Sequence, residues 1–241
     1  MKFYQSSLLN QFPNLTSLFT TKKSGNLAFH VGDREENVIH NHKLLANQCS
    51  YQLEKLIHMK QIHSNLVHKV DNNDNFKNPQ SCDALITDKK HMPLMVMVAD
   101  CSPLLFYDKK TQTIAVAHAG RAGAFNNIIQ KVCDSFQKDF YTDIKNIYVS
   151  VGPSIGECCY EVGEEIYQEA KLLHLEYAIK KEKNCYYLNI SKILKKQLLD
   201  AGIQPQHIEL STICSCCNTQ DYFSYRAEKN TGRFAGIICL N

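Results

Sequence analysis

The sequence contains 241 residues, of which 44% are hydrophobic and 21% are charged. This balance is typical of a folded globular protein and disfavours long disordered segments. The 27 lysines and arginines and the 24 acids give a formal charge of +3, and they are interspersed along the chain without a basic block. We therefore expect no nucleic-acid partner.

Two further properties concern the cellular location. The longest apolar stretch, residues 94–99, is far shorter than the ~20 residues that a bilayer span requires, and the first twelve residues lack the apolar core of a secretory signal. We therefore expect no membrane association. Eleven cysteines in a chain of this length are interpreted as reduced thiols of a cytoplasmic protein, not as a disulfide framework.

The first half of the chain is predicted to contain one helix and a series of strands. The helix covers residues 37–49 and has Asp33, Glu35 and Glu36 near its positive end. Strands are predicted at 66–70, 84–87, 94–98, 104–107 and 113–117. The last two form a hairpin around a turn at 108–111, and its second strand ends at His118. The polar segment 71–81 is interpreted as a loop insertion.

The second half alternates helices with strands. Apolar residues at helical spacing predict a helix that begins near Ala124. Strands are predicted at 147–151, 208–213 and 234–240, and helices at 162–173 and 190–199. No internal repeat or flexible linker divides the chain. We therefore expect one α/β domain over residues 1–241, with mixed sheets.

Three segments place a metal-binding side chain at the end of an apolar run: KQIHSN at His63, VADCSP at Cys101 and AVAHAG at His118. Functional residues collect at such strand ends because the sheet holds them while the loops give access. Two imidazoles and one thiolate match a catalytic zinc site, which leaves its fourth position to water or substrate. On the residues alone, a second interpretation stays open: Cys101 as a small core residue and the histidines as hydrogen-bonded loop residues.

A second set of cysteines lies further along the chain. Cys158 and Cys159 are adjacent, and Cys214 and Cys217 form a Cys-x-x-Cys pair around Cys216. Together they could form a four-cysteine zinc site. Because adjacent cysteines do not easily bind one tetrahedral ion, we interpret them as buried thiols.

Several motifs resemble one known family. They are CDALIT from Cys82, VADCSPLLFYD from Val98, AVAHAG from Ala115, VGPSIGECCYEVG from Val151, FHVGDREENVIHNHKLL from Phe29, and FSYR with TGR near the C-terminus. In this order they are similar to the laccase-domain family of purine nucleoside phosphorylases. The resemblance covers nearly the whole chain.

The resemblance implies a four-layer αββα fold in a single domain and a zinc or copper site. Its ligands would be the histidine of the QxH segment, the cysteine of ADC and the histidine of HAG, which are His63, Cys101 and His118. It also implies a purine nucleoside and phosphate as small-molecule partners. Gln61, Arg121 and Arg226 are the residues that we expect to bind substrate, although Arg226 could instead hold the C-terminal strands by ion pairs.

The chain departs from the family pattern beside one of these ligands. The family has HAGWRG, whereas this sequence has Arg121 and Ala122 where Trp and Arg are expected. Small residues before a predicted helix could still present N–H groups to phosphate, and Arg121 could add charge-assisted hydrogen bonds. The departure puts purine stacking by the missing Trp in doubt.

The leading hypothesis is a zinc-dependent phosphorylase of adenosine, inosine or methylthioadenosine that also deaminates adenosine. Zinc lowers the pKa of its water to roughly 7 and so would supply the nucleophile for deamination. Asp83 and Asp100 are the candidate proton shuttles, although each could instead cap a turn.

Other functions stay open. Cys101 and His118 could be the nucleophile and base of a cysteine hydrolase that acts on an amide or a cell-wall precursor. Relatives are also described as peptidoglycan-editing factors. Phenol oxidation is disfavoured, because a laccase needs a further cluster built from His-x-His pairs and we interpret the chain as lacking these pairs, although copper could bind at the predicted site.

Overall fold

A computed structural model describes residues 2–241, which fold into fourteen strands, six α-helices and five short 3₁₀ segments. The strands are β1 Leu15–Phe19, β2 Met59–Lys60, β3 Val67–Lys69, β4 Gln80–Ser81, β5 Ala84–Thr87, β6 Leu94–Val98, β7 Ser102–Asp108, β8 Thr113–Ala119, β9 Ile147–Val151, β10 Glu161–Val162, β11 Ile179–Glu182, β12 Cys185–Leu188, β13 Ile208–Leu210 and β14 Phe234–Leu240.

The helices cover the two faces of these strands. They are α1 Glu35–Gln48, α2 Arg121–Phe125, α3 Ile128–Phe140, α4 Glu164–Leu172, α5 Ile190–Asp200 and α6 Tyr225–Glu228. The 3₁₀ segments are Lys22–Ser24, Leu53–Lys55, Ile144–Asn146, Glu176–Ala178 and Pro205–His207. Within the described part of the chain, no helix is both long enough and apolar enough to cross a membrane.

Two sheets form the centre of the fold. One is antiparallel and has the strand order β1-β14-β6. The other has the order β13-β9-β7-β8-β5-β3, and its four inner strands pair in antiparallel fashion. At its edges, β13 is parallel to β9 and β3 is parallel to β5. Two small sheets, β10-β12-β11 and β2-β4, lie outside these.

Three hydrophobic clusters show how the layers are stacked. The first joins the six-stranded sheet to α3 and α5. The second lies between the two central sheets, where Leu94 of β6 and Phe234 of β14 share a cluster with Leu105 of β7. The third joins the three-stranded sheet to α1. The order is helix, sheet, sheet, helix, which confirms the expected four-layer αββα fold with mixed sheets.

Most of the predicted strands and helices are found at the positions that the apolar residues indicated. Strands β5, β6, β9 and β14 have the predicted bounds because every residue in them is buried. The helix expected near Ala124 is different. It is split into α2 and α3 by Asn127, whose left-handed backbone (φ 51°) and side chain cap α3.

The structure also contains strands that the sequence did not indicate. They are β1, the hairpin of β11 and β12, and the two-residue strands. In β11, three of the four residues are exposed, so its sequence IKKE carries no apolar alternation. Pairing with β12, not local pattern, makes this segment a strand.

Candidate metal centre and catalytic site

The register of the six-stranded sheet brings two of the predicted ligands together. Ser102 of β7 pairs with Ala119 of β8, so Cys101 and His118 lie at the same end of this antiparallel hairpin. On the other side of β8, Ala84 pairs with Ala117, which places Asp83 next to His118. The sheet therefore places the side chains of Asp83, Cys101 and His118 together at one end of three neighbouring strands.

The third predicted ligand, His63, lies in a loop that Asp83 holds in place. The carboxylate of Asp83 accepts N–H groups from three consecutive residues, Ile62 at 3.2 Å, His63 at 3.1 Å and Ser64 at 2.6 Å. His63 has a left-handed backbone (φ 57°), which is unfavourable for this residue type. The three hydrogen bonds stabilise that conformation and direct the imidazole towards His118.

The three side chains form a compact donor set. The candidate ligand atoms of His63, Cys101 and His118 lie within 4.8 Å of one another. The Nδ1 atom of His118 is 2.8 Å from the Asp83 carboxylate, which leaves Nε2 available as a ligand atom. Such a carboxylate–histidine pair is typical of metal ligands. Two imidazoles and a thiolate fit zinc with one open position.

Gly120 leaves space for the side chains of Cys101 and His63. A Cβ atom at this position would lie 2.8 Å from the Sγ of Cys101 and 3.3 Å from the Cδ2 of His63. The backbone of β8 can therefore pass close to the two side chains only because residue 120 is glycine. The requirement is for space, since the φ of Gly120 is −78°.

The charges in this group depend on one another. Burial raises the pKa of Cys101, but the charge of His118 and hydrogen bonds from both histidines lower it to about 6. Burial lowers the pKa of His118, but Cys101 and Asp83 raise it to about 9. Burial likewise raises the pKa of Asp83, while hydrogen bonds from His118 and Ser64 hold it at about 2. The thiolate is the form of cysteine that binds metals and attacks substrates.

Two cavities open on either side of Cys101. One has a volume of about 400 Å³ and contains the side chains of Asp100, Arg121, Tyr160, Arg226 and Lys229 in its wall. The other has a volume of about 260 Å³, and its wall includes His30, Gln61, His63, His118 and Arg233. Ala99, Cys101 and Tyr225 line both. The predicted ligand Cys101 therefore lies between a cation-rich space and a histidine-rich space.

Gln61 lies beside the donor set, but its side-chain amide is bonded to a strand. Its Nε2 donates to the backbone oxygen of Met97 at 2.7 Å, and its Oε1 accepts the N–H of Met97 at 2.9 Å. The amide thus extends the hydrogen bonding of β6 towards the loop of His63. Gln61 lines the smaller cavity with a side chain that is already paired.

Asp100 connects three segments around the larger cavity. Its carboxylate accepts the Ser215 hydroxyl at 2.7 Å and the Arg226 N–H at 2.6 Å, and its carbonyl oxygen accepts the N–H of Ile155 at 2.8 Å. Asp100 also has a left-handed backbone (φ 86°), directly before Cys101. These bonds stabilise the conformation that presents Cys101 to both cavities.

Arg121 and Arg226, both predicted to bind substrate, line the larger cavity. Arg121 is ion-paired with Glu169 and lies over the ring of Phe125. Arg226 donates to the backbone oxygen of Glu161 at 2.9 Å and lies over the ring of Tyr160. Because α2 has only five residues, the anion-binding potential of this cavity comes from cationic side chains, not from a long helix dipole.

Sequence reasoning missed Tyr160, Tyr225 and Lys229, which also line the larger cavity. Tyr225 and Lys229 lie in the segment SYRAEK around Arg226, so their nearness in sequence to a candidate residue was an available signal. Tyr160 follows the cysteine pair in GECCYEVG, and nothing local distinguishes its aromatic ring from a core residue.

The other histidines and cysteines are arranged differently. The interpretation that the chain lacks His-x-His pairs is wrong for His40 and His42, but His42 is buried with its Nε2 2.8 Å from the Leu27 oxygen. The expectation that the second set of cysteines would be buried is wrong for Cys158 and Cys217, which are exposed. Polar turns, not core strands, carry these two residues.

Comparison with known proteins shows to which family the chain belongs. Residues 17–241 match the family described as multi-copper polyphenol oxidoreductase laccase. The chain belongs to this family. Among similar proteins, one named purine nucleoside phosphorylase from Campylobacter jejuni is 34% identical over 232 residues, covering 94% of this chain and 96% of the relative. Another of that name from Corynebacterium glutamicum is 32% identical, covering 92% and 93%.

Solved structures of the family have the same fold. The crystal structure of YlmD from Geobacillus stearothermophilus aligns with a TM-score of 0.91 at 26% identity, over 99% of this chain and 98% of YlmD. That of YfiH from Bacillus licheniformis also has a TM-score of 0.91, at 29% identity, over 96% and 94%. The family is named after oxidation, whereas curated relatives are named purine nucleoside phosphorylase, which supports an enzymatic role for this chain.

Proposed function

We propose that this chain is a zinc-dependent purine nucleoside phosphorylase that also deaminates adenosine. The relatives named purine nucleoside phosphorylase support the first activity. The single structural observation that carries the proposal is the position of Cys101, which lies between the two histidines and a cavity rich in cationic side chains. One side of the site suits a metal, and the other suits an anion.

The metal would be held by His63, Cys101 and His118. Zinc bound there would supply Lewis acidity and lower the pKa of a coordinated water, which is the chemistry that deamination at C6 of adenine needs. The two imidazoles and the thiolate provide the three ligands of a catalytic zinc site. The same donors also accept copper, and elemental analysis of the purified protein distinguishes the two metals.

Phosphate would bind on the other side of Cys101, among Arg121, Arg226 and Lys229. Cationic side chains form charge-assisted hydrogen bonds with phosphate and are its usual ligands in proteins. In phosphorolysis, a phosphate oxygen forms a bond to C1′ of the ribose while the bond from C1′ to the purine nitrogen breaks. The base then leaves with the bonding electron pair and takes up a proton from water.

The nucleoside would extend from one cavity to the other. We place the purine in the histidine-rich cavity of about 260 Å³ and the ribose next to Cys101. In this arrangement C6 of adenine faces the donor set, and C1′ faces the cationic side. Adenosine, inosine and methylthioadenosine differ at C6 or at the 5′ position and share the bond that phosphate cleaves, so we expect all three to be substrates.

Asp83 and Asp100 are assigned positioning roles. Asp83 is buried, accepts hydrogen bonds from three backbone N–H groups and pairs with His118, so it has no free path to a substrate. Its lowered pKa keeps it ionised at neutral pH, whereas a proton donor must be protonated. Asp100 joins the segments of Ser215 and Arg226 and so shapes the phosphate side.

The decisive experiment is product analysis. Protein of known metal content is incubated with adenosine, with and without phosphate, and the products are separated by chromatography. Adenine and ribose 1-phosphate that form only with phosphate establish phosphorolysis, and inosine without phosphate establishes deamination. If neither appears with zinc-loaded protein, the proposal is wrong.

A specific observation favours a second candidate, a cysteine hydrolase. The lowered pKa of Cys101 and its contact with His118 form the thiolate–imidazolium pair that such an enzyme uses, with Asp83 orienting the histidine. Its substrate would be an amide or a cell-wall precursor. Metal dependence separates the two functions. A cysteine hydrolase keeps its activity after a chelator has removed all metal, whereas a zinc-dependent phosphorylase loses its activity.

A further inference from the structure

Four cysteine side chains from two distant segments meet beside the candidate catalytic site. The Sγ atoms of Cys158, Cys159, Cys214 and Cys217 all lie within 4.8 Å of one another. The Sγ of Cys217 is 3.6 Å from that of Cys158 and 3.3 Å from that of Cys159. In a tetrahedral site with Zn–S bonds of about 2.3 Å, neighbouring sulfur atoms are separated by about 3.8 Å. The two distances to the Sγ of Cys217 are 0.2 and 0.5 Å shorter than this value, so small shifts of the side chains give the spacing of a tetrahedral site.

The local backbone explains how two adjacent cysteines face the same point. Cys158 and Cys159 lie in a turn in which the N–H groups of Cys159 and Tyr160 both donate to the oxygen of Gly156, at 3.0 and 3.1 Å. In a helical turn, consecutive side chains diverge by about 100°, whereas in a strand they point to opposite faces. The sequence-based objection to adjacent ligands therefore does not hold for this turn.

The other two cysteines have the spacing of a structural zinc site. Cys214 and Cys217 are separated by two residues, and the turn between them is closed by Asn218, whose side chain donates to the Cys214 oxygen at 2.8 Å. Cys-x-x-Cys pairs are the usual elements of such sites. In addition, the N–H of Gly156 lies 3.2 Å from the Sγ of Cys214, and a hydrogen bond of this kind stabilises a thiolate.

We propose that Cys158, Cys159, Cys214 and Cys217 bind a structural zinc ion that joins the turns at 157–159 and 215–217. Four thiolates select a soft or borderline cation and leave no open position for a substrate. A disulfide accounts for the arrangement less well, because it would use two of the four sulfurs and require them to approach to about 2.05 Å.

The bound zinc would stabilise one wall of the larger cavity. Tyr160, which lines that cavity, directly follows Cys159. Ser215 follows Cys214 and donates to the carboxylate of Asp100. Cross-linking the two turns therefore fixes Tyr160 and Asp100, which both line the larger cavity beside Cys101. This role does not depend on which reaction the enzyme catalyses, so the inference stands apart from the proposed function.

The test is a zinc count per chain by elemental mass spectrometry on four purified proteins. We expect about two zinc ions per chain in the wild type, one for each donor group. Removing the catalytic group with the double substitution His63→Ala and Cys101→Ser should leave about one, and Cys158→Ser with Cys217→Ser should also leave about one. Cys216→Ser, in the same turn but outside the donor group, is the matched control and should keep both.

Cobalt identifies the ligands of the remaining ion. In the His63→Ala, Cys101→Ser protein, bound Co²⁺ should show intense tetrahedral absorption bands and a strong sulfur-to-cobalt charge-transfer band. The Cys158→Ser, Cys217→Ser protein should show a weaker charge-transfer band, since one thiolate remains in the catalytic group. If the first variant binds no zinc or cobalt while keeping its fold by circular dichroism, the structural site is refuted and the catalytic proposal is unaffected.

Alkylation of the wild-type chain gives the same answer without any substitution that could prevent folding. Cys158 and Cys217 are exposed and should react quickly with N-ethylmaleimide when free, but zinc coordination should protect them until a chelator is added. Rapid labelling of both residues in the zinc-loaded protein contradicts the proposal. So does a disulfide involving any of the four, found by mass spectrometry in the protein that carries its full complement of zinc.

Discussion

The two cysteine-containing donor groups differ in how the fold encloses them. Cys101 and His118 lie at the ends of buried strands, and the buried carboxylate of Asp83 orients the His118 imidazole and holds the exposed loop that carries His63. Three members of the four-cysteine group lie in two turns, the fourth, Cys214, is buried directly before the second turn, and Cys158 and Cys217 are exposed. Cys101, a candidate ligand of the first group, lines two cavities.

This difference matches the two roles that zinc has in proteins, catalytic and structural. A catalytic metal needs an open coordination position and a neighbouring space for substrate, whereas a structural metal needs a closed set of ligands. The groups have three and four potential ligands, respectively. We therefore expect substitutions in the first group to act on the chemistry and those in the second to act on stability. Four predictions test or refine this contrast.

The largest effect is expected for Cys101→Ser. Loss of the thiolate removes a metal ligand at the point where the two cavities meet, so phosphorolysis and deamination should both fall on the order of 10³-fold or more in kcat/KM. Steady-state assays with adenosine, run alongside a zinc determination, measure this. Cys217→Ser should retain most of its kcat and lose thermal stability. Equal losses of kcat in the two variants would remove the contrast.

The second prediction concerns Asp83→Asn, which retains the size of the side chain and removes its charge. The new amide N–H₂ group would face backbone N–H donors and could no longer stabilise a charged His118. We expect zinc affinity at the catalytic group to fall by about 10–100-fold, as measured by competition with a chromophoric chelator. Asp88→Asn, near the end of β5, is the control and should bind zinc like the wild type.

The same variant has a defined dependence on pH. The folded-state pKa of Asp83, about 2, lies below its ordinary value of 3.8, so its stabilising contribution is fully present above 3.8 and is lost as the pH falls through about 2. The difference in unfolding free energy between wild type and Asp83→Asn should therefore be constant between about pH 5 and 6, where His118 is charged in both the folded and the unfolded wild type, and narrow below pH 4. A difference that grows on acidification contradicts the assigned role.

The third prediction separates the two reactions. Lys229→Ala or Arg226→Ala removes a cation from the larger cavity, and the loss of one charge-assisted hydrogen bond of about 1.5–3 kcal/mol should raise the KM for phosphate by roughly 10–100-fold. Deamination, which uses no phosphate, should change by less than a few-fold. Lys145→Ala, which lines neither cavity, should leave both reactions unchanged. If deamination falls as far as phosphorolysis, the cations do not form a separate phosphate site.

The smallest effect is expected in the reactivity of the metal-free thiol. With a pKa of about 6, Cys101 is a thiolate above that pH, so its alkylation rate should be nearly constant at neutral pH and fall as the pH drops through about 6. At pH 7, the larger thiolate fraction and the lower intrinsic nucleophilicity combine to about three- to six-fold faster reaction than for an ordinary thiol. Mass spectrometry of the Cys101 peptide after timed iodoacetamide labelling measures this. A midpoint near 9 excludes a thiolate–imidazolium pair.

The sequence predicted the buried elements well and the exposed ones poorly. Continuous apolar runs specified β5, β6, β9 and β14, because strands buried on both faces must be apolar throughout. The exposed strand β11 and the split between α2 and α3 were missed. Their conformations depend on a partner strand and on the capping of a single residue, and neither leaves a periodic pattern.

The candidate site shows the same division. His63, Cys101 and His118 could be selected from the sequence because each has a metal-binding side chain and follows an apolar run. Their arrangement came from tertiary structure: the register of β7 and β8, the left-handed backbone of His63 and the Asp83 carboxylate that holds both histidine segments. For Asp83 the sequence leaves a proton shuttle and a turn cap both open, since it cannot show that three backbone N–H groups donate to this carboxylate.

The sequence by itself therefore determined the α/β class from its hydrophobic pattern and the family resemblance from motifs that are continuous in the chain, and that resemblance implied the four layers. Tertiary structure alone decided which side chains meet. It placed three cations around one cavity, brought Gly120 so close to Cys101 and His63 that a Cβ would not fit there, and turned two adjacent cysteines towards a Cys-x-x-Cys pair. Such contacts join residues that are distant in sequence, and local composition carries no record of them.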